Sequence, residues 1–325
     1  ASSLKDAYQN AQSQNDKIKI LIVPGHDNDS WGTDYRGVKE ADLTVELGEK
    51  LFSKFGENNL FEPVLARTRS GYNPILVNYF ENERESTGEF IRAQKEIMGQ
   101  YLAEGKIKSN VIVQHNKAQP AVVQKLYGIN KWANENGMDI IIHVHFNDYP
   151  RSNRSAPGRY SGFSMYIPER QYSNAKGSRA VAESVFAQLA NKYPVSSLPI
   201  EDDGLIEDQK LIGIGSFNTL DGAGMYIEYA YIYEPILQTS LREATMEEMA
   251  EITYSGVMNF FEGKGEDKIK VEIKKEREEI KNSEPTPNEE FKFFNPIAIK
   301  VNLPTTVQNS TPARTIRLDA AAIYN

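Results

Sequence analysis

The sequence predicts an α/β protein: a mainly parallel twisted sheet with helices on both faces, plus a helical insertion and a C-terminal extension. Three observations predict it. Strand-like apolar runs alternate with stretches whose apolar residues recur every three or four positions. The runs are apolar throughout rather than alternating, as in a sheet covered on both faces. Two of them carry histidines at their ends, at the edge where open α/β sheets bind ligands.

The elements follow in order. Residues 1–17, ASSLKDAYQNAQSQNDK, are small and polar and are expected to form a leader outside the fold. They lack a charged head followed by an apolar stretch, so no signal peptide is expected in them. IKILIVPGH (18–26) is a first buried strand, stopped by Pro24 and Gly25 so that His26 stands at its end. In the next stretch Leu43, Leu47, Leu51 and Phe55 recur every four residues, an amphipathic helix closed by Gly56 with Glu40 at its beginning. FEPVLART is a second strand, completing β-α-β.

Residues from about 70 to 120 interrupt this rhythm and are expected to be an insertion, with a charged helix between Glu81 and Leu102 that could decorate the surface or cover a cleft. His115, in the apolar piece NVIVQHNKAQP, reads as a surface residue. Val122, Leu126, Ile129 and Ala133 then mark a helix leading into DIIIHVHFND, which reads as a buried strand. GFSMYI is a further strand, and Val181, Val185 and Leu189 a further helix. GMYIEYAYI is the last core strand and LREATMEEMAEITYSGVMNFF the last helix. The core domain is thus expected over residues 18–263. Residues 264–325 begin as a charged, Pro- and Ser-containing linker and end in short strand-like pieces.

Composition narrows the function. A net charge of −8 opposes a phosphate-rich partner, so no nucleic acid is expected. No apolar run is long enough to span a bilayer. Cysteine is absent, so any metal must be held by His, Asp or Glu. The chain has only four histidines, and two of them, His143 and His145, share one face of a strand. Alone they could equally be satisfied core histidines. His26 changes the balance, because it too ends a predicted parallel strand and opens onto the same edge. Glu40 can fold back over that edge from the start of its helix. Two imidazoles and a carboxylate are the open donor set of a catalytic zinc site. Glu228, set among Met225, Ile227 and Tyr229, is costly to bury unless paired or functional.

In order along the chain, VPGH, GVKEADL, ARTR, KWANENGMDIIIHVHFND and YIEYAY resemble the motifs of the zinc-dependent N-acetylmuramoyl-L-alanine amidases, bacterial peptidoglycan hydrolases. The resemblance spans about residues 18–263, with the middle insertion unmatched. It implies one Zn2+ per chain, held by His26, Glu40 and His145, with Glu228 as the catalytic acid–base group. It matches Asn147 to the asparagine that follows the family's second histidine. His143 stands where the family has serine, so either imidazole of the pair could be the ligand; His143 could otherwise bind substrate or orient a ligand. Asp27 and Asn28 replace the usual glycines after the first histidine, and Ala230 and Tyr231 replace the Gly-Phe after the glutamate. The resemblance further implies a secreted or cell-envelope protein acting on the amide between N-acetylmuramic acid and L-alanine.

Other readings remain in view. Another zinc hydrolase or a stem-peptide peptidase would share the metal chemistry, although a site using both His143 and His145 would need further His, Lys and Asp ligands on later strands, and no histidine follows His145. A non-catalytic wall-binding protein should have lost a ligand or the base. Arg67 and Arg69 are expected in a loop, solvated or facing an acidic stem peptide. Tyr149, Tyr160, Tyr166 and Tyr231 are expected near the mouth of the site, in the core or stacking on sugars.

Overall fold

The computed structural model describes residues 2–14, 16–110 and 118–264. Helix α1 spans Ser2–Gln14. Strand β1 (Ile18–Pro24) runs into a loop bearing the small hairpin β2 (Asp34–Tyr35) and β3 (Val38–Lys39), and α2 (Glu40–Gly56) follows at once. After β4 (Phe61–Leu65) come the hairpin β5 (Arg67–Thr68) and β6 (Gly71–Tyr72), then α3 (Pro74–Asn82), α4 (Arg84–Ala103) and α5 (Pro120–Glu135). The chain continues through β7 (Ile140–Asn147), β8 (Ser164–Pro168), α6 (Ala175–Ala190) and β9 (Leu205–Asp208). Strand β10 (Ala223–Tyr231), the single turn α7 (Pro235–Gln238) and α8 (Arg242–Glu262) complete it.

The main sheet has the order β4-β1-β7-β10-β8-β9. Its first four strands are mutually parallel. Strand β8 runs antiparallel to β10, and β9 runs parallel to β8. The three central strands β1, β7 and β10 therefore end at one edge. Every residue of β7 and β10 is buried, as their unbroken apolar patterning requires.

Alternation along β1 divides the core into two layers. Ile18, Ile20 and Ile22 face α2, α6 and α8, where Leu43, Leu47, Leu51 and Phe55 are fully buried with Val181, Val185 and Met249. Leu21 and Val23 face the other way, onto Leu76 of α3 and Ile129, Trp132 and Ala133 of α5. Each such Leu or Ile contributes about 1.5–3 kcal/mol of transfer free energy.

The expected leader over residues 1–17 is different in the structure. Leu4, Tyr8 and Ala11 form a one-sided stripe on α1 and are buried, and Tyr8 stacks on Phe261 of α8 with ring centroids 4.5 Å apart. The small polar residues around them are the solvent face of a docked helix, not an unstructured arm. The insertion is also docked. Met98 and Tyr101 of α4 pack with Tyr127 of α5, Tyr172 and Phe217. Strand β9 was not expected: LIED is short and half polar. The strand-like piece around His115 and the strand-like pieces of the C-terminal extension lie outside the described residues, as do residues 265–325. Among the described residues no helix is long and apolar enough to cross a membrane.

Candidate active site

His26 follows β1 and adopts a left-handed backbone conformation, φ 63°, which turns the chain back over the sheet edge. The Gly25 amide donates to the Val144 carbonyl of β7 at 2.9 Å, tying the turn to the neighbouring strand. Gly25 is required there, since a Cβ would lie 2.1 Å from Cε1 of His145. The loop then closes on α2: the Glu40 amide donates to the Thr33 carbonyl at 2.9 Å, and the Thr33 amide donates to Glu40 Oε2 at 3.2 Å.

Arg67 locks these pieces together. It is 1 % exposed and donates to the carbonyls of Pro24, Gly25 and Ala41 and to the Thr44 hydroxyl, at 2.7–3.2 Å. It therefore reaches neither solvent nor a substrate, contrary to both expectations for it. Its fork of donors satisfies backbone acceptors on both sides of the first histidine and at the start of α2. Burial pushes its pKa down, but far above neutrality guanidinium stays charged. Asp27, next to His26, is held from α5 by Lys125 at 2.7 Å.

The expected trio converges. Glu40 Oε2 lies 3.0 Å from Nε2 of His26, and Glu40 Oε1 lies 3.0 Å from Nδ1 of His145. One ligand atom from each of the three residues falls within 4.8 Å of the others. Glu40 is 5 % exposed. Burial opposes its ionisation, but the flanking imidazoles of His26 and His145 hold its pKa well below the usual carboxylate range. Burial works against a charged His26 as well, yet the Glu40 carboxylate raises its pKa. These three donors could hold a divalent cation, and two imidazoles with one carboxylate match a zinc donor set.

Glu228 stands beside this trio. It pairs in register with His145 across β10 and β7, and with Ser164 across β10 and β8. Its Oε2 has no hydrogen-bond partner among the described residues. Burial raises its pKa well above the ordinary value, and the carboxylates of Glu40 and Glu201 raise it further. Tyr226, two residues earlier on the same face, stacks on His145 with centroids 4.1 Å apart.

These groups open into a cleft of about 660 Å³ lined by His26, Trp31, Glu40, Asn147, Arg151 and Glu228, among others. No residue of α4 lines it, so the charged helix of the insertion is not a cover over it. His143 does not join the trio. Two residues before His145 on the same face, it lies below the cleft against Gly213 and stacks on Tyr226 at 6.1 Å. Burial, together with the neighbouring His145, pushes its pKa down to about 3, so it is neutral. Of the expected tyrosines, Tyr166 and Tyr231 are buried and bonded to Glu201, and Tyr149 packs edge-on against Tyr160 at 4.7 Å.

Glu201 was missed. It lies in the loop between α6 and β9, is fully buried, and accepts from Asn147 Nδ2 at 3.0 and 3.1 Å. In sequence it opens the run Glu201-Asp202-Asp203-Gly204, which reads as a solvated turn, and no local signal distinguishes it from its neighbours.

A parallel sheet whose carboxyl edge carries two imidazoles, a bridging carboxylate and a second buried carboxylate has the donor set and the acid–base group that a metal-assisted hydrolase uses. The sequence profile of the N-acetylmuramoyl-L-alanine amidase family (Amidase_3) matches residues 20–259, and the chain belongs to that family. The chain resembles an N-acetylmuramoyl-L-alanine amidase from Clostridium difficile 630 at 16 % identity and a TM-score of 0.49, over 77 % of this chain and 99 % of that one. It resembles the N-acetylmuramyl-L-alanine amidase Ami1 from Mycobacterium smegmatis at 14 % identity and a TM-score of 0.50, over 76 % and 97 %. No curated protein sequence matches significantly. As a member of this family the protein is an amidase that cleaves the bond between N-acetylmuramic acid and L-alanine in peptidoglycan.

Proposed function

We propose that His26, Glu40 and His145 hold one zinc ion and that Glu228 is the proton-transferring group of the amidase reaction. One observation carries this reading: Glu40 is pinned between the two imidazoles, with Glu228 in register beside His145. Zinc bound there would lower the pKa of a water to about 7 and polarise the substrate carbonyl. Glu228 takes the proton of the attacking water and returns it to the departing L-alanine nitrogen. Water oxygen adds to the lactyl carbonyl carbon and the carbon–nitrogen bond breaks, leaving a lactyl carboxylate and a free alanine amine. The chain acts at the cell wall, in a secreted or envelope setting, because its substrate is there.

Digestion of purified peptidoglycan with and without chelator tests this. New alanine amino termini paired with free lactyl groups, lost on chelation and restored by zinc, are expected. Cleavage within the stem peptide instead would favour a peptidase, and wall material that retains the protein uncut would favour a binding module. Glu228→Gln should keep zinc and lose roughly 10²–10⁴-fold in kcat, whereas His26→Ala should lose both metal and turnover.

A further inference from the structure

Glu201 is a third buried carboxylate at the cleft end of the sheet, outside the proposed zinc trio and not itself proposed to move protons. Its surroundings are unusual for an acid. Oε1 accepts from Tyr166 at 2.6 Å and from Asn147 at 3.0 Å. Oε2 accepts from Ser196 at 2.6 Å, from Asn147 at 3.1 Å and from Tyr231 at 3.2 Å. Among the described residues no lysine or arginine pairs with it. Neutral donors alone satisfy the carboxylate, and a buried charge is tolerated only when such donors fill its lone pairs.

Asn147 is the one of these donors that also faces the cleft. It ends β7, two residues beyond His145, and is 3 % exposed. An asparagine amide can turn either way, and its two ends differ only by the partner they meet. Here the partner decides. A carboxylate accepts and cannot donate, so the NH2 group of Asn147 points at Glu201. No hydrogen bond reaches its Oδ1 among the described residues, and the residue lines the cleft.

We infer that Glu201 is a positioning residue: it sets the Asn147 amide with the nitrogen inward and Oδ1 outward, as an acceptor for an amide N–H of the stem peptide. The inference rests on the amidase reading for the identity of that N–H. Placed two residues past His145, the acceptor aligns the peptide beside the reacting carbonyl, and alignment of this kind is a large part of what a rigid site contributes. An amide at position 201 would reverse the setting. Asn147 Nδ2 sits nearly equidistant from both carboxylate oxygens, so an introduced NH2 would meet it donor to donor.

The test is a double-mutant cycle on the zinc-loaded full chain, with a soluble N-acetylmuramoyl peptide as substrate. Glu201→Gln is expected to lower kcat/KM about tenfold, the scale of one hydrogen bond misplaced in a buried site. In an Asn147→Ala background the same change should cost less than about twofold, because the group it acts through is gone. Zinc affinity, measured by competition with a chelator, should stay within about twofold of the parent, which a general loosening of the edge would not allow. A folded Glu201→Gln with parental kcat/KM overturns the inference, and so do losses that multiply in the cycle. If Glu201→Gln does not fold, the exchanged pair Asn147→Asp with Glu201→Gln decides. Its donor and acceptor are swapped but matched, and it should recover at least about tenfold over Asn147→Asp alone; no recovery overturns the inference. A parental protein that releases no alanine amino termini would instead remove the amidase reading, before any variant is compared.

Discussion

Glu40 and Glu201 are both buried carboxylates at the same edge of the sheet, and they are held by opposite means. Glu40 lies between two imidazoles, His26 and His145, each 3.0 Å away. Glu201 is surrounded by an amide and three hydroxyls. The first arrangement places a carboxylate between groups that can ligate and has the donor set to take up a cation. The second closes on itself and needs none. The contrast teaches that burial of an acid alone does not mark a metal site; the kind of donor around it does.

The largest expected break in this comparison comes from Glu40→Gln. It keeps an oxygen between the imidazoles but removes the charge, and zinc affinity measured by chelator competition should fall by more than about 100-fold. Glu201→Gln should leave that affinity almost unchanged. Gly25→Ala comes next. Its new Cβ would collide with the His145 ring, so the imidazole must shift away from Glu40. A loss of zinc affinity of about 10–100-fold is expected, while the Glu201 network stays intact.

Asp208 sharpens the comparison from outside the cleft, with the smallest effect. Its Oδ1 accepts from the amides of Lys210 and Leu211, but Oδ2 has no partner among the described residues. Burial pushes its pKa up from 3.8 to about 6, against the pull of those two amides. Because the folded pKa is raised, the ionised form is disfavoured in the native state. The cost is absent below about pH 3.8 and fully present above about pH 6. Two units cap it at about 3 kcal/mol. Asp208→Asn should therefore stabilise the protein by about 1 kcal/mol at pH 8 and by nothing at pH 3.5, read from denaturant midpoints.

Much of the fold was legible because β1, β7 and β10 carry unbroken apolar runs and α2 a clean four-residue repeat. His26, His145 and Glu228 could be placed at one sheet edge because each ends or interrupts such a run, where parallel strands must share an edge. Glu40 could be found from its place at the start of α2. The rest was hidden for physical reasons. The direction of β8 depends on which neighbour it meets, and GFSMYI contains nothing that fixes it. Helix α1 owes its place to three apolar residues in a polar stretch. Arg67 looks like any loop arginine until the carbonyls it bonds are brought together from three segments. Glu201 gains its meaning only when the loop before β9 folds back onto Asn147. His143 and His145 share a face, yet one strand repeat separates the cleft floor from the layer beneath it.

The proposed ligands and base descend from β1, β7, β10 and the helix that follows β1, and the sheet order places those strands side by side with β4 and β9 at the margins. Amide hydrogen exchange should accordingly be slowest along β7, and fraying of either margin should leave the centre intact. Heat inactivation should therefore coincide with unfolding of this sheet, since the reacting groups sit on its innermost strands and on the helix that follows the first of them.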